Sequence, residues 1–480
     1  LMQFDNTYFS KLNDFYAECD ADIPADPKLI KFNKDLATQL GINTKNMNLS
    51  SIFSGGEKPE GANTLAQIYA GHQFGHFNPQ LGDGRALLLG EIISRKGKRI
   101  DIQLKGAGRT PFSRNGDGKA GLGPVLREYL VSEAMYALGV PTTRALAATS
   151  TGESIQRETL KKGAVLTRTA SSHIRIGTFQ FFASRQDNDR LKKLADYTIE
   201  RHYPDAKNHE NPYLNLLQNV ANKQAYLISK WMGLGFIHGV MNTDNTTLSG
   251  ETIDYGPCAF MDFYDPKTVF SSIDKNGRYA FSNQPLIARW NMARLAETLL
   301  PLINNNADKA IQDATKIIES FSDIYEKFWL KEMRRKFGFK TKHENDAELF
   351  DSFFETMANN QVDFTQSFRA LADVSEGNPD NLRNLYLDTK LLDTWINKFK
   401  KRSLLEVGLA KNIRKENPIF IPRNHLVEAA LSAAEFEDDY SQFEELLDIV
   451  TNPYTEHPGK EIYSNPPIMI NSNYKTFCGT

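Results

Sequence analysis

The spacing of apolar residues changes once along this chain, near residue 185. Before that point, short apolar runs such as ALLLGEII (86–93) and RIDIQL (99–104) predict strands joined by Gly-containing turns. After it, apolar residues recur every three or four positions, as in DNDRLKKLADYTIERHY (187–203), which predicts amphipathic helices. A β-rich part followed by a larger helical part indicates an α+β fold of two lobes with a cleft between them.

This pattern divides the chain into four segments. They are an N-terminal extension (1–60), a β-rich N-lobe (61–185), a helical C-lobe (186–410) and a C-terminal extension with a tail (411–480). Apolar residues make up 40% of the 480 positions, so a large core is available. Within the first segment, LIKFNKDLATQLGI (29–42) predicts a helix that ends at its Gly.

Composition narrows the class of protein. The 57 Lys and Arg residues balance the 59 Asp and Glu residues, which disfavours nucleic acid or a membrane surface as a general partner. Three cysteines do not make a disulfide framework and predict a reducing compartment. No apolar run of about 18 residues occurs, and the polar, acidic N-terminus is unlike a signal peptide. We therefore expect a cytoplasmic protein without a membrane span.

The stretch from His238 to Asp254 carries the strongest chemical signal. Asp244, Asn245 and Asp254 supply hard oxygen ligands between apolar runs, a set that suits Mg²⁺ carrying a nucleotide phosphate. The spacing is similar to that of a kinase catalytic loop, in which His is followed seven residues later by Asn and then by an Asp-aromatic-Gly turn. Val240 stands where the kinase base would be. The pattern thus predicts a metal and phosphate site without the usual kinase base.

Two Gly-rich segments precede this stretch. The first, Gly82 to Arg85 with Gly84 between them, would let backbone N–H groups approach a phosphate, with the Arg adding a bidentate contact. The second, GAGRTPFSRNGDGKAGLG (106–123), is too flexible for a core strand and could cover a nucleotide. A plain turn is the alternative for the first segment.

Cationic side chains complete the predicted pocket. Lys105 ends a strand, and Glu128 follows 23 residues later in a predicted helix, which suits the Lys–Glu ion pair of kinases. Glu133 remains an alternative partner on the same helix. Arg168 and Arg175 could clamp phosphate or could be cations on a strand surface.

Three runs carry a resemblance to a known family: residues 68–86, 100–135 and 238–262. They resemble the SelO family, also called YdiU, which are kinase-like protein adenylyltransferases, and the resemblance covers essentially the whole chain. It implies a protein-kinase-like two-lobed fold with additional, mainly helical N- and C-terminal segments. It also implies transfer of AMP from ATP to Ser, Thr or Tyr hydroxyls of proteins with release of pyrophosphate. UMP transfer from UTP with Mn²⁺ is attributed to the family as well.

The resemblance assigns roles residue by residue. ATP would bind flipped relative to kinases, with its γ-phosphate deep and its α-phosphate facing the acceptor. The nucleotide pocket would be lined by Gly82, Gly84, Arg85, Lys105, Asp117, Gly118, Arg168, Arg175 and Asp254. Glu128 would brace Lys105, Asn245 and Asp254 would hold Mg²⁺ or Mn²⁺, and Asp244 would be the proton acceptor. An Asx turn or a helix cap is the alternative for Asp244.

The cysteines depart from the family pattern. Members often carry a C-terminal Cys that pairs with a Cys after the metal loop; here Cys478 is kept, but Phe270 stands at the expected partner position. Cys258 is flanked by apolar residues, which predicts a buried, inert thiol. Cys478 is left to pair with glutathione or a partner protein. Two other functions stay open: an ordinary kinase with a displaced base, and a nucleotide-binding scaffold.

Overall fold

One antiparallel sheet dominates the N-terminal part of the molecule, and helices dominate the rest. The computed structural model describes residues 1–468. Its strands are β1 (Tyr16–Glu18), β2 (Lys28–Phe32), β3 (Leu65–Gln67), β4 (Gly71–Gln73), β5 (His76–Asn78), β6 (Ala86–Ile93), β7 (Arg99–Lys105), β8 (Ala120–Gly121), β9 (Arg144–Gln156), β10 (Leu160–Ala170), β11 (Phe236–Ile237) and β12 (Ala259–Phe260). The fold is therefore of the mixed α+β class, as predicted.

The helices lie mainly after the sheet. They are α1 (Thr7–Lys11), α2 (Lys34–Leu40), α3 (Leu49–Ile52), α4 (Leu122–Ala137), α5 (Ile176–Ala183), α6 (Asn188–His202), α7 (Pro212–Leu234), α8 (Gln284–Ile303), α9 (Ala307–Lys336), α10 (Asp346–Met357), α11 (Phe364–Ser375), α12 (Asp380–Arg383), α13 (Lys390–Ser403), α14 (Leu409–Glu416), α15 (Asn424–Glu437) and α16 (Ser441–Val450). In the part of the chain that the structure describes, no helix is long and apolar enough to cross a membrane.

The main sheet has the order β1-β3-β6-β7-β10-β9-β2, and β8 pairs with β10. Alternating side chains of its strands face two cores. Leu88 and Leu166 belong to a core shared with α4 and the C-terminal helices, whereas Leu89 and Val165 belong to a smaller core with α2. The strands predicted at 86–93 and 99–104 are confirmed, because both are long enough and apolar enough to be identified from local sequence.

The helix predicted over residues 29–42 is only partly right. Residues Lys28–Phe32 form β2, which pairs with β9 at the edge of the sheet. The helix begins after Asn33, whose side chain accepts a hydrogen bond from the Leu36 N–H. It ends at Gly41 in the left-handed conformation (φ 74°), as predicted. Pairing with a distant strand outweighs the local helical pattern at the start of this segment.

The C-terminal helices return to the sheet. Helices α7, α8 and α9 pack together, while α15 and α16 pack against α4. Helix α4 is thus enclosed between the sheet and the C-terminal segment. A separate aromatic core, which includes Phe337, Phe353 and Trp395, joins α9, α10, α11 and α13. The ends of β7 and β10, α4 and the loop after β11 meet at the cleft.

Candidate active site

A large cleft with a volume of about 1510 Å³ lies between the sheet and the loop after β11. The structure brings every sequence-predicted site residue to its wall: Gly82, Gly84, Arg85, Lys105, Asp117, Gly118, Glu128, Arg168, Arg175, Asp244, Asn245 and Asp254. These residues come from loops, strands and helices between Gly82 and Asp254. Their convergence is a property of the fold, which spacing alone did not show.

Lys105, at the end of β7, lies at the centre of an ion-pair network. Its Nζ is 3.0 Å from Glu128 Oε1 and 3.1 Å from Asp254 Oδ1. The predicted Lys–Glu pair is therefore confirmed. The alternative partner, Glu133, instead pairs with Arg144 at 2.8 Å. A lysine at the end of a half-buried strand is stabilised here by two carboxylates.

Arg168 reaches the same carboxylates from β10. Its Nη1 is 2.6 Å from Asp254 Oδ1 and 3.2 Å from Glu128 Oε2, and its Nε donates to Gln103 Oε1 at 2.8 Å. The side chain is buried, so this arginine is a fixed cation inside the fold and not a strand-surface residue. Because all its contacts come from three different elements, its guanidinium plane is held in one orientation.

The backbone and charge of Asp254 are both unusual. Its φ is +62°, a left-handed conformation that non-Gly residues adopt rarely and often at functional sites. Burial would raise the pKa of its carboxyl, but the charges of Lys105, Arg168 and Arg175 hold that pKa well below its usual value. Asp254 is therefore an anion that three cations face.

His238 has a structural role beside this network. Its Nε2 is 2.8 Å from the carbonyl oxygen of Ile253, and its Nδ1 accepts the Val240 N–H at 3.3 Å. The ring stacks on Trp231 at 5.5 Å, and burial lowers its pKa. A neutral imidazole thus ties the start of the loop to the residue before Asp254. The position that a kinase base would occupy, Val240, carries no ionisable group.

Asp244 and Asn245 lie on one short 3₁₀ turn. Burial raises the pKa of the Asp244 carboxyl to about 7. Its Oδ2 accepts a long hydrogen bond of 3.5 Å from Gln73, and its buried Oδ1 has no partner among the described residues. Asn242, rather than Asp244, occupies the N-cap of the turn. The side chain of Asn245 donates to the Val240 carbonyl at 2.9 Å, which leaves its amide oxygen as the acceptor.

Arg175 is held by three residues that the sequence did not single out. Its guanidinium lies 4.4 Å over the ring of Tyr69, its Nη1 is 3.7 Å from Asp83 Oδ1, and it donates to the His173 carbonyl at 3.1 Å. Asp83 is buried and its Oδ2 accepts the Gln67 N–H at 3.0 Å. The signal that could have revealed Asp83 is its position between Gly82 and Gly84, because a carboxylate in a predicted phosphate-binding loop needs a neighbouring cation.

The second Gly-rich segment folds back over the first. A Cβ on Gly82 would lie 2.7 Å from the ring of Phe112, and a Cβ on Gly118 (φ 69°) would lie 2.1 Å from a backbone oxygen of the same loop. Both positions therefore require glycine. Asp117 pairs with Arg157 at 2.9 Å, and this hydrogen bond lowers the pKa of Asp117. A nucleotide that contacts Asp117 would therefore contact a carboxylate that is already paired with Arg157.

Helix α15 forms a wall of the cleft that sequence reasoning missed. Arg127 of α4 anchors it, with Nη1 2.9 Å from Glu428 Oε1 and Nη2 donating to Asn424 Oδ1 at 2.7 Å. The lining residues from α15 are Glu428, Leu431, Ser432, Glu435 and Phe436. The partners are about 300 positions apart, so no local pattern marks the contact.

The cysteine predictions have different outcomes. Cys258 is buried, as predicted, and burial raises the pKa of its thiol to about 11, which disfavours the reactive thiolate. Phe270 is buried as well. Cys478 lies outside the described residues, and its pairing with glutathione or a partner protein stays a prediction.

Comparison with known proteins gives full-length matches. The family described as "Protein adenylyltransferase SelO" matches residues 1–451. The chain is 53% identical over 486 residues to "Protein nucleotidyltransferase YdiU" of Rhizobium meliloti (strain 1021), covering 100% of this chain and 99% of the relative. Proteins of the same name from Rhodopseudomonas palustris (strain HaA2) and Cereibacter sphaeroides (strain KD131 / KCTC 12085) are 51% and 52% identical, each over 99% of its length.

Proposed function

The chain belongs to the SelO family of protein adenylyltransferases, and we propose that its cleft moves AMP from ATP onto hydroxyl side chains of other proteins, releasing pyrophosphate. One observation carries the proposal: the Lys105, Arg168 and Asp254 network shares a cleft with Asp244, whose Oδ1 is unpartnered among the described residues. The family also implies a protein-kinase-like fold of two lobes, which agrees with an antiparallel sheet followed by helices.

The cations bind the leaving end of the nucleotide. Lys105, Arg168 and Arg175 are fixed by neighbouring carboxylates or an aromatic ring before any ligand arrives, so little reorganisation is needed to receive phosphate oxygens. Arg85 and the glycines around it line the same wall. With the β- and γ-phosphates on these cations, the α-phosphorus is directed toward Asp244.

The transfer step then needs one proton acceptor. The acceptor hydroxyl oxygen attacks the α-phosphorus, its proton passes to the Asp244 carboxylate, and the bond from the α-phosphorus to the bridging oxygen breaks. Pyrophosphate leaves with that bond pair and is held by the cations. A kinase loop usually carries its base at the position of Val240, which has no ionisable group here. The position of Asp244 therefore favours chemistry at the α-phosphorus.

A divalent metal fits the oxygen donors that are present. In residues 1–468 no three His, Cys, Asp or Glu side chains cluster as a metal site, so a resident protein-only cage is not indicated. Asn245 and Asp254 can offer one amide and one carboxylate oxygen, and Mg²⁺ or Mn²⁺ commonly completes such a pair with phosphate oxygens and water. When bound, the metal supplies charge neutralisation at the phosphates.

We propose that the four segments of the chain together form one catalytic unit. Segments 61–185 and 186–410 each supply one wall of the cleft. The extensions act with them, because β1 and β2 from residues 1–60 form the edges of the main sheet and α15 from residues 411–480 lines the cleft. We expect removal of either extension to destabilise the catalytic unit.

Labelled nucleotides test the proposal. The protein is incubated with a protein acceptor and ATP labelled at the α- or the γ-phosphate, with Mg²⁺ or Mn²⁺ and with a chelator control. Covalent label from the α-phosphate alone, lost with chelator, is the expected result. Label from the γ-phosphate alone would establish a kinase, and no label from either would leave a nucleotide-binding scaffold. Parallel reactions with UTP labelled at the α-phosphate measure UMP transfer.

A further inference from the structure

The hairpin β4–β5 forms one side wall beside Asp244. A Cβ on Gly71 would lie 2.5 Å from Asp244 Oδ1, and Gln73 donates to Oδ2 at 3.5 Å. Next to them, the Phe74 N–H donates to Asn242 Oδ1 at 3.0 Å. The first strand of the hairpin therefore leads from the carboxylate, at buried Gly71, to the half-buried turn at Phe74 and Gly75.

Arg278 lies against the turn of that hairpin, and Trp290 and Arg294 lie beside it. The Arg278 guanidinium is 3.3 Å from where a Cβ on Gly75 would lie, and its centre is 4.7 Å from the Trp290 ring centroid. Arg294 lies 4.4 Å from the same centroid. All three side chains are half-buried, and the His72 ring packs edge-on against Trp290 at 5.2 Å. We call Arg278, Trp290 and Arg294 the basic ledge.

The basic ledge is short of carboxylates. Within residues 1–468, no carboxylate oxygen lies within 4 Å of the Arg278 guanidinium nitrogens; both oxygens of nearby Asp274 accept backbone N–H groups, from Arg278 and Tyr279, at 2.9 Å. Arg294 pairs with Glu297 at 2.8 Å, and that side chain is 58% exposed. Two guanidinium groups thus share one ring with one exposed carboxylate, in a chain whose net charge is −2. Such a surface attracts an anionic partner.

We propose that the basic ledge docks an acidic stretch of the acceptor protein while the acceptor hydroxyl lies at Asp244. This inference rests on the proposed function of the cleft, since it takes Asp244 as the acceptor end. It adds the substrate class: hydroxyl residues that have Asp or Glu close by in the sequence. The two arginines bind the carboxylates, and Trp290 keeps both guanidinium planes in place.

The hairpin also sets the spacing. Gly71 lies against Asp244 and Gly75 lies against Arg278. Because β4 ends at Gln73 and Phe74 and Gly75 form the turn, the ledge and the carboxylate are separated by two residues of strand rise and the turn, roughly 10 Å in all. An extended acceptor segment covers that distance in about three or four residues. The preferred acidic residue is therefore three or four positions from the modified hydroxyl.

Matched peptides test the inference. Serine peptides that carry Glu three or four positions from the Ser, on either side, are compared with otherwise identical Gln peptides, using ATP labelled at the α-phosphate. For the wild-type protein we expect KM to be roughly threefold to tenfold lower for one of the Glu peptides, with similar kcat. In the Arg278→Ala, Arg294→Ala double variant the two KM values become equal. Arg278→Glu reverses the preference toward a Lys peptide.

Arg289→Ala serves as the control, because Arg289 is on the same helix as Arg294 but donates to the Ile318 carbonyl at 3.2 Å, on α9. It should keep the wild-type preference. Equal KM values for Glu and Gln peptides in the wild type, or an unchanged preference in the double variant, would overturn the inference. Failure of the proposed function is a separate result: the wild type would then transfer no α-label to any peptide or protein.

Discussion

Two clusters of buried charges lie side by side on β7, and they differ in what they can still bind. Asp101 belongs to the scaffold cluster, with Glu91, His173 and Arg201. Lys105, four residues further along the strand, belongs to the cleft cluster defined by Glu128, Arg168 and Asp254. Both consist of carboxylates and cations removed from bulk water, so residue types alone do not separate them.

The difference lies in saturation and access. Asp101 uses both oxygens: Oδ1 accepts from Arg201 at 2.7 Å, and Oδ2 accepts from the His173 backbone N–H and ring at 3.1 and 2.8 Å. Asp254 Oδ1 accepts hydrogen bonds from Lys105 and Arg168, whereas Oδ2 is 3.9 Å from its nearest cation, Arg175. The Asp101 side chain is 1% exposed and that of Asp254 is 23% exposed. A saturated cluster locks elements together, and an unsaturated, open one can exchange partners for a ligand.

The largest expected effect is on the reaction. Asp254→Asn keeps the size of the side chain but removes the charge that faces Lys105 and Arg168 and the proposed metal. We expect loss of several kcal/mol of transition-state stabilisation, which is about 10³-fold or more in the rate of AMP transfer. The unfolding midpoint should shift little, because Glu128 still pairs with both cations. Transfer at the wild-type rate would remove Asp254 from the site.

The corresponding change in the scaffold cluster should do the reverse. Asp101→Asn leaves Arg201 and His173 without their shared carboxylate in a closed environment. Breaking one partner of such a pair costs about 3–5 kcal/mol of folding stability. Urea denaturation should show a lower midpoint, while the transfer rate measured well below that midpoint stays near the wild-type value. A variant of normal stability with a slow rate would mean that the two clusters are not functionally distinct.

The wild type and Asp101→Asn can also be compared as a function of pH. Burial would raise the pKa of Asp101, but Arg201 and His173 lower it to about 2. A carboxyl whose pKa is depressed on folding stabilises the protein above its unfolded pKa of about 3.9 and loses that contribution as pH falls toward 2. The contribution is on the order of 2–3 kcal/mol. The stability difference between the wild type and Asp101→Asn should therefore narrow from pH 5 to pH 2.5; a constant difference would contradict the assignment.

Sequence alone predicted the cleft cluster better than its surroundings. Strands β6 and β7 and the Lys105–Glu128 spacing are local signals, and the structure confirms them. The choice between Glu128 and Glu133 could not be made, although they lie about 140° apart around α4. Helix α4 is buried on the sheet side and on the α15 side, so its apolar pattern does not tell which face meets Lys105.

Long-range contacts account for most of what was missed. The edge strands β1 and β2 exist because distant strands pair with them, and their own sequences carry only weak strand signals. The amphipathic pattern of α15 predicts a helix but not the α4 surface on which it packs. The scaffold cluster was not predicted from the sequence, because Asp101, His173 and Arg201 lie in three separate parts of the chain and their spacing matches no motif.

Asp83 offers the finest test, because it combines features of both clusters. It is as buried as the scaffold residues, with 2% exposure, yet it lines the cleft and faces Arg175. Asp83→Asn keeps an acceptor for the Gln67 N–H and removes only the charge beside the guanidinium. Without the Asp83 charge, the Arg175 guanidinium is oriented less precisely, and its positive charge is less neutralised. We expect kcat for AMP transfer to fall roughly tenfold, as for a displaced transition-state donor, while KM for ATP does not rise.

The control for this variant is Asp26→Asn, which makes the same charge change at a side chain that is 68% exposed and pairs with Lys28. It should leave both kinetic constants unchanged. An increased KM with normal kcat in Asp83→Asn would show that Asp83 helps to bind ATP directly. A lower unfolding midpoint with both constants normal would place Asp83 with the scaffold residues. The expected split, a lower kcat at constant KM, would show that a buried and well-bonded carboxylate can serve the reaction by orienting a cation that faces the cleft.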